Sequence, residues 1–357
     1  MTEQLEPLRA VAQRNADLAD ALHAQSSSLC IYLLDMREFF RWEKGLPLDV
    51  PLSRADLGPW ITAREAHWDS LRESVPEAGP TPFVPLLPEL AIDPFETDAL
   101  RETLRAHGLV YGAGLGRFGR AQFYLARLIA HERREGCDIL VSGEELARCA
   151  MAPPALSRGR EILIRQDALD RWLWTRYEEW RLHPRDNGLS AAFAIHEAAL
   201  PATDRGASAV IRRMAAHERE ALILHELGER RIDPQLGDGW HDLIEDAPSR
   251  KAEVLARAVR DLLADCTVTL PTLVERDDAA SIHCWFGLLD GMRLKLAAGL
   301  LADYARWRTG DRTALAGRID EARTHWAHVA SRLLDAWNKD GATALDALVE
   351  DETLVFR

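Results

Sequence analysis

Residues 214–231, MAAHEREALILHELGERR, decide how the C-terminal half of this 357-residue chain is interpreted. A helix turns by about 100° per residue, so Glu218, His225 and Glu229 fall on one side of a helical wheel. Leu222 lies on the same side, which is therefore the apolar face that a globular protein buries. The stretch predicts a buried helix that carries one imidazole and two carboxylates into the core.

Ionisable groups on a buried face need partners, because an unpaired one costs several kcal/mol. His225 and Glu229 are one turn apart, about 6 Å along the axis, so both can bind one ion. Glu218 lies about 10 Å from His225, so it would bind a second ion or hydrogen-bond to a ligand. A mixed imidazole and carboxylate set suits iron, manganese or zinc. We predict that these three residues hold a divalent metal.

The alternative for the same residues is a buried ion-pair network that contains no metal. The arginines that we expect as its partners are Arg212, Arg230 and Arg257. Three further polar residues of the stretch lie off the apolar side and are predicted to meet solvent: His217, Glu220 and Glu226.

A second helical stretch, AVRDLLADCTVTLP, repeats this pattern with Asp261 and Asp265 one turn apart. We predict that one or both complete the metal site, and the alternative is an exposed acidic edge paired with Arg257 or Arg260. Sites that draw Glu and His from facing helices are typical of di-metal carboxylate bundles. Those bundles use Glu-x-x-His, whereas this chain has His-x-x-x-Glu.

The five residues HELGE, 225–229, resemble the zinc-protease helix motif HExxH. The resemblance implies His225 and Glu229 as zinc ligands and Glu226 as the general base that activates a zinc-bound water. The motif departs from the family pattern at Glu229, which stands where the protease has histidine.

His196 and Glu197, in AIHEAAL, offer a further histidine and carboxylate. The short break at residues 201–206 predicts an antiparallel helical hairpin. In that hairpin His196 would lie level with about residue 211, roughly 20 Å from His225, so we expect it outside the site.

The fold class predicted from the whole chain is mainly α, a multi-helix bundle-like core with a small two-stranded β element around residues 138–165. The two strands are CDILVSG and REILIRQ, with GEELARC as a helical turn between them and a helix over residues 121–134 before them. The predicted regions are 1–75, helical; 76–95, a Pro-rich connector packed on the protein; 96–188, helical with the β element; and 189–357, helical with the site.

GAGLGRFG, residues 112–119, formally matches the dinucleotide fingerprint. The buried strand and the later acidic residue that the fingerprint needs are missing from the pattern. A structural turn is the expectation, with an anion-binding loop before a helix as the alternative.

Composition excludes several classes of function. The net charge of −13 argues against nucleic-acid binding, which needs basic surface to neutralise phosphates. The sequence shows no signal peptide and no run of apolar residues long enough to insert into a membrane. Five scattered cysteines fit reduced thiols, so we expect a cytoplasmic protein. Its partner would be a small molecule or a protein, and a homo-oligomer is compatible with the sequence.

These observations favour a metal-dependent enzyme, foremost a non-haem iron or di-metal oxidoreductase with ligands between helices. The first alternative is a zinc-type hydrolase that uses His225, Glu226 and Glu229. The second is a non-enzymatic helical scaffold or accessory protein.

Overall fold

A computed structural model describes most of the chain. The described residues are 2–23, 29–75, 82–87, 90–115, 120–196 and 204–357. Contacts divide the chain into two compact units, residues 1–177 with 202–211 and residues 178–201 with 212–357. Most described residues are helical, as the sequence predicts, but the β structure is larger than the predicted two-stranded element.

The first unit combines helices with a mixed sheet. Its N-terminal helices are α1 (Thr2–His23), α2 (Leu29–Glu43), α3 (Arg54–Glu73) and α4 (Thr97–Ala106). Its strands are β1 (Leu109–Leu115), β2 (Ala121–Arg134), β3 (Cys137–Arg148), β4 (Ala155–Arg158) and β5 (Glu161–Arg165). The strand order is β1-β2-β3-β5-β4; β3 and β5 are parallel and the other neighbours are antiparallel.

Helices α1 and α4 pack against the sheet, and the hydrophobic core of this unit lies between these helices and the strands. Ala12, Ala16 and Ala19 of α1 are buried with Phe123 and Leu125 of β2. Since alanine side chains are small, α1 lies close to the strands. The described part of the predicted connector packs here as well: Phe83 contacts Phe123 with ring centroids 4.7 Å apart.

Residues 121–134 form strand β2, so the prediction of a helix there is wrong. Their Ala, Leu, Arg and Glu content favours a helix by intrinsic propensity. In the fold this segment pairs with β1 on one side and β3 on the other, and its first six residues are buried. Pairing with distant strands therefore overrides propensity. GEELARC was likewise predicted as a helical turn, and all but its last residue lie in β3.

The turn between β2 and β3 explains why the hairpin is hard to predict. Glu135 and Gly136 have φ of 51° and 77°. Two central residues with positive φ are typical of the turn that joins tightly paired strands. Asn-Gly and Asp-Gly are the usual sequences of such turns, and glutamate at the first position gives no comparable signal.

Gly112, the first glycine of GAGLGRFG, lies within β1 and not in a loop. A Cβ at this position would lie 2.0 Å from the Tyr124 ring on β2, so glycine is required by close packing. Gly114, the first glycine of the formal fingerprint, also lies in β1, and residues 116–119, which hold its other two glycines, lie outside the described part of the chain. No helix follows them, because β2 begins at Ala121.

The chain after the sheet is helical. The helices are α5 (Gln166–Leu182), α6 (Gly188–Ile195), α7 (Asp204–Leu236), α8 (Gly239–Glu245), α9 (Arg250–Ala264), α10 (Leu270–Glu275), α11 (Ala279–Gly287), α12 (Gly291–Leu296), α13 (Ala298–Arg308), α14 (Ala316–Asp340) and α15 (Ala344–Leu348). A 3₁₀ turn, Glu352–Leu354, lies near the C-terminus. Across the described helices, none combines the length and the apolar character needed to cross a membrane.

Helices α9 and α10 are joined by a π-helical turn, Asp265–Thr269, and the helical conformation continues through Pro271. Proline has no amide hydrogen, and its ring clashes with the carbonyl four residues earlier in a regular α-helix. A wider turn just before Pro271 relieves this conflict. Leu270 N accordingly donates to Asp265 O, five residues back.

Candidate metal centre

Helices α7 and α9 approach each other closely at Gly228, in the C-terminal half of α7. A Cβ on Gly228 would lie 2.6 Å from the carbonyl oxygen of Ala264, at the end of α9. A larger residue would hold the two helices apart. The close approach places Asp261 and Asp265 beside His225 on α7.

His225, Glu229 and Asp261 bring three ligand-type side chains together, and we call them the His225 cluster. One nitrogen or oxygen atom from each lies within 4.8 Å of the other two. The Nδ1 atom of His225 lies 2.8 Å from Asp265 Oδ1. Because an ionised carboxylate can only accept, Nδ1 carries the hydrogen. The other ring nitrogen, Nε2, lies 3.7 Å from Glu229 Oε1.

Asp265 is held by three partners and therefore orients the imidazole. Besides His225, it accepts hydrogen bonds from Thr269 Oγ1 at 2.9 Å and from Arg293 Nη2 at 2.7 Å. Burial raises the pKa of Asp265, but the charges of His225 and Arg293 outweigh it and lower the pKa to about 2. Asp265, which the sequence predicts as a metal ligand, therefore lies on the Nδ1 side of the His225 ring, whereas Glu229 lies on the Nε2 side.

Glu229 is anchored through its other oxygen. Arg260 Nη2 lies 3.1 Å from Glu229 Oε2 and 3.1 Å from Asp233 Oδ1. Burial raises the pKa of Glu229, and the charge of Glu226 raises it further, while His225 and Arg260 oppose the rise. One oxygen of Glu229 is therefore fixed by an arginine, and the second faces the imidazole.

The carboxylates around His225 favour its protonated form. Burial lowers the pKa of His225, but Asp265 and Glu229 outweigh burial and raise it to about 10. A proton on Nε2 then occupies the position that a metal cation would take. Metal binding here must displace this proton, since only the neutral imidazole is a ligand.

Glu226 is buried, with 7% of its surface exposed, so the prediction that it meets solvent is wrong. The prediction from the helical wheel assumed that only one side of the helix is buried. Between Ile223 and Glu229, helix α7 is covered around most of its circumference. His217 is exposed, as predicted.

Glu218, the remaining predicted ligand, lies apart from the His225 cluster. It belongs to a second group, with His196 and His217. His196 lies 3.8 Å from Glu218, so the prediction that it lies level with residue 211 is wrong. That prediction assumed a helix continuing past His196, whereas α6 ends at Ile195. Glu197 lies outside the described residues.

The arginines at the His225 cluster are not those expected from the sequence. Arg230 pairs with Asp233 and Arg257 with Glu253, each within its own helix, while Arg212 is exposed. Instead, Arg260 contacts Glu229 of the cluster, and Arg293 contacts Asp265, the carboxylate that orients His225. The sequence predicts Arg260 only as a partner of the aspartates on its own helix. Arg293 comes from α12, and no spacing in the sequence connects it with α7.

In this class of site, one carboxylate binds one ring nitrogen of a histidine and orients the ring. The other ring nitrogen faces further carboxylates. The chain that carries this site belongs to the family of unknown function DUF6866. The C-terminal domain model of that family matches residues 170–353, and the N-terminal domain model matches residues 7–165. Comparisons with curated proteins and with solved structures gave no match.

Proposed function

We propose that this protein is a metal-dependent enzyme whose divalent ion is held by His225, Glu229 and Asp261. One observation carries the proposal: Asp265 fixes His225 so that Nε2 faces Glu229 Oε1 at 3.7 Å. This separation is too long for a hydrogen bond. Two adjacent ligand atoms that each bind one ion at about 2.1 Å are about 3.0 Å apart in octahedral and about 3.4 Å apart in tetrahedral geometry, so the two atoms must approach by less than about 1 Å.

The contact of His225 with Asp265 is the arrangement that commonly supports a metal-binding histidine. A carboxylate on one ring nitrogen sets the tautomer and makes the other nitrogen a better ligand. Arg293 and Thr269 hold that carboxylate in turn. These contacts fix the direction of His225 before any ion binds.

The ligand types favour manganese or iron over zinc. Carboxylates suit hard divalent ions, and one imidazole beside two carboxylates is a harder set than the usual zinc ligands. The side chains of His225 and Glu229 are 20% and 12% exposed, so one side of the site is open to water or a substrate. A bound iron or manganese ion would supply redox chemistry, which supports an oxidoreductase as the first choice.

The chain's own residues would have distinct tasks in that site. Asp265 orients His225, and Arg260 holds one oxygen of Glu229 so that the other points to the ion position. Glu226 lies close enough for its charge to raise the pKa of Glu229. In the hydrolase alternative, Glu226 would take a proton from a water molecule bound to zinc.

The scaffold alternative is favoured by a different observation. Arg260 and Arg293 contact Glu229 and Asp265, so much of the negative charge is neutralised without a metal. In that case the network contributes to stability and binds no cation. Metal content and metal-dependent stability separate the two proposals.

The test is elemental analysis of the full chain purified without added metal, combined with thermal melts after chelation and re-addition of Mn²⁺, Fe²⁺ or Zn²⁺. We expect one ion of manganese or iron bound at the cluster, and a melting temperature that rises on addition of Mn²⁺ or Fe²⁺ in the wild type but not in His225→Ala. One zinc lost in His225→Ala would support the hydrolase.

The matched control is His241→Ala, which removes an exposed histidine that also faces a glutamate one turn later, Glu245. It should behave as the wild type. Metal content and melting temperatures that are the same with and without His225 would contradict the metal site and support the scaffold.

A further inference from the structure

A second group of potential ligands lies two turns earlier on α7. It consists of His196, just after α6, with His217 and Glu218 on α7, and we call it the His196 cluster. One nitrogen or oxygen atom of each residue lies within 4.8 Å of the other two. The cluster is formed entirely within the second unit.

Within the described part of the chain, two buried atoms of the His196 cluster have no hydrogen bond. Glu218 is only 6% exposed, and among the described residues its Oε1 has no hydrogen-bond partner. The same holds, within that part of the chain, for Nε2 of His196. These atoms face each other at 3.8 Å, too far apart for a hydrogen bond. Leaving a buried polar atom unpaired costs about 1–3 kcal/mol, so a missing partner between them is expected.

The neighbours of the cluster resemble those of a metal site. His217 Nε2 lies 3.1 Å from Asp278 Oδ1, which also accepts a hydrogen bond from Ser281 N at the start of α11. A carboxylate bound to one nitrogen of a histidine leaves the other nitrogen able to bind an ion. Burial, and then the nearby charge of Glu218, raise the pKa of the buried Cys284 thiol, so a sulfur lies beside the cluster.

We propose that His196, His217 and Glu218 form a second metal site, for one zinc-like divalent ion. Two imidazoles and a carboxylate are a common zinc set, and the adjacent thiol is softer than any group at the His225 cluster. The ion would bind Nε2 of His196 and Oε1 of Glu218, the two atoms that have no hydrogen bond among the described residues. This site is independent of the proposed function, which rests on other residues.

The two sites would hold separate ions and not a di-metal centre. Glu218 and His225 are seven residues apart, about 10 Å along the helix axis. The ions of a two-metal site are about 4 Å apart. Loss of one site should therefore leave ion binding at the other nearly unchanged.

The experiment is calorimetric titration of the chelator-treated full chain with Zn²⁺. The variants are Glu218→Gln, His217→Ala and His225→Ala, with His241→Ala as control. We expect Glu218→Gln and His217→Ala to weaken one zinc-binding event by about 100-fold or more, whereas His225→Ala and His241→Ala retain it. His217 is exposed, so its replacement tests the site even if Glu218→Gln disturbs folding, which circular dichroism would reveal.

Substitution with Co²⁺ gives a second measurement. The visible spectrum of the bound ion should show tetrahedral coordination in His225→Ala and lose that signature in His217→Ala. Zinc affinity and a cobalt spectrum that are unchanged in folded His217→Ala and Glu218→Gln would overturn the proposal. Failure of the proposed function would instead appear in His225→Ala, so the two results are distinguishable.

Discussion

The His225 cluster and the His196 cluster use the same residue types on the same helix, yet their surroundings differ. Around His225, one ring nitrogen is bound by Asp265 and one oxygen of Glu229 is bound by Arg260. In the His196 cluster, a buried imidazole nitrogen and a buried carboxylate oxygen face each other without hydrogen bonds among the described residues. Groups brought by other helices therefore decide whether a buried histidine and carboxylate are satisfied without an ion.

Among the variants that test this difference between the clusters, Asp265→Ala should have the largest effect on stability. In Asp265→Ala, a protonated His225 and Arg293 would lose the carboxylate that they share. Breaking a buried ion pair in this way costs about 3–5 kcal/mol. We expect a fall of this size in the free energy of unfolding, measured by denaturant titration of chelator-treated protein. A loss below about 1 kcal/mol would show that the network is not the buried ion-pair system described here.

The pH dependence of stability tests the charges of the same network. The pKa of His225 rises from 6.5 to about 10 on folding, so its contribution is complete below pH 6.5 and fades as the pH rises toward 10. Asp265, whose pKa falls from 3.8 to about 2, contributes above pH 3.8 and loses its effect as the pH falls toward 2.

The measurement is the difference in unfolding free energy between the wild type and His225→Gln across this pH range, with a chelator present. The difference should be largest between the two unperturbed pKa values and should shrink on both sides. If the two proteins had the same unfolding free energy, or if the difference stayed constant up to pH 10, the charged pair of His225 and Asp265 would be contradicted.

Gly228→Ala should cause a smaller loss, because it changes the spacing of the helices and not the charges. The new Cβ would lie 2.6 Å from Ala264 O, and overpacking of this kind costs about 1–3 kcal/mol. The matched control is Gly317→Ala on α14, where the space around a Cβ is open. Thermal melts should show Gly228→Ala destabilised and Gly317→Ala slightly stabilised. Equal effects would mean that the close approach at Gly228 is not required.

The smallest expected effect is that of Glu218→Gln in metal-free protein. Since Glu218 Oε1 lacks a hydrogen bond among the described residues, neutralising this carboxylate removes little, and we expect a change within about 1 kcal/mol. Urea unfolding with a chelator present measures it, beside Glu229→Gln, which loses a charge partner of Arg260 and should be destabilised more. Equal losses in the two variants would remove the contrast between the clusters.

The sequence predicts the helices that carry these residues better than it predicts their partners. The periodic pattern of residues 214–231 correctly predicted a helix with an inward-facing His225, because both depend on local spacing. The sequence does not predict that Arg260 contacts Glu229 or that Arg293 contacts Asp265, since helix packing creates both contacts. The mixed sheet was underestimated for the same reason: β2 pairs with strands that residues 121–134 do not reveal.

The π turn at Asp265–Thr269 has a consequence for related chains. A π turn contains one residue more than the α-helical turn that it replaces. A relative that lacks one residue in this segment would have its preceding residues rotated by about 100° relative to those that follow. Its equivalent of Asp265 would then turn away from the imidazole. The length of this short segment, more than the presence of an aspartate, should therefore distinguish relatives that retain the oriented histidine from those that have lost it.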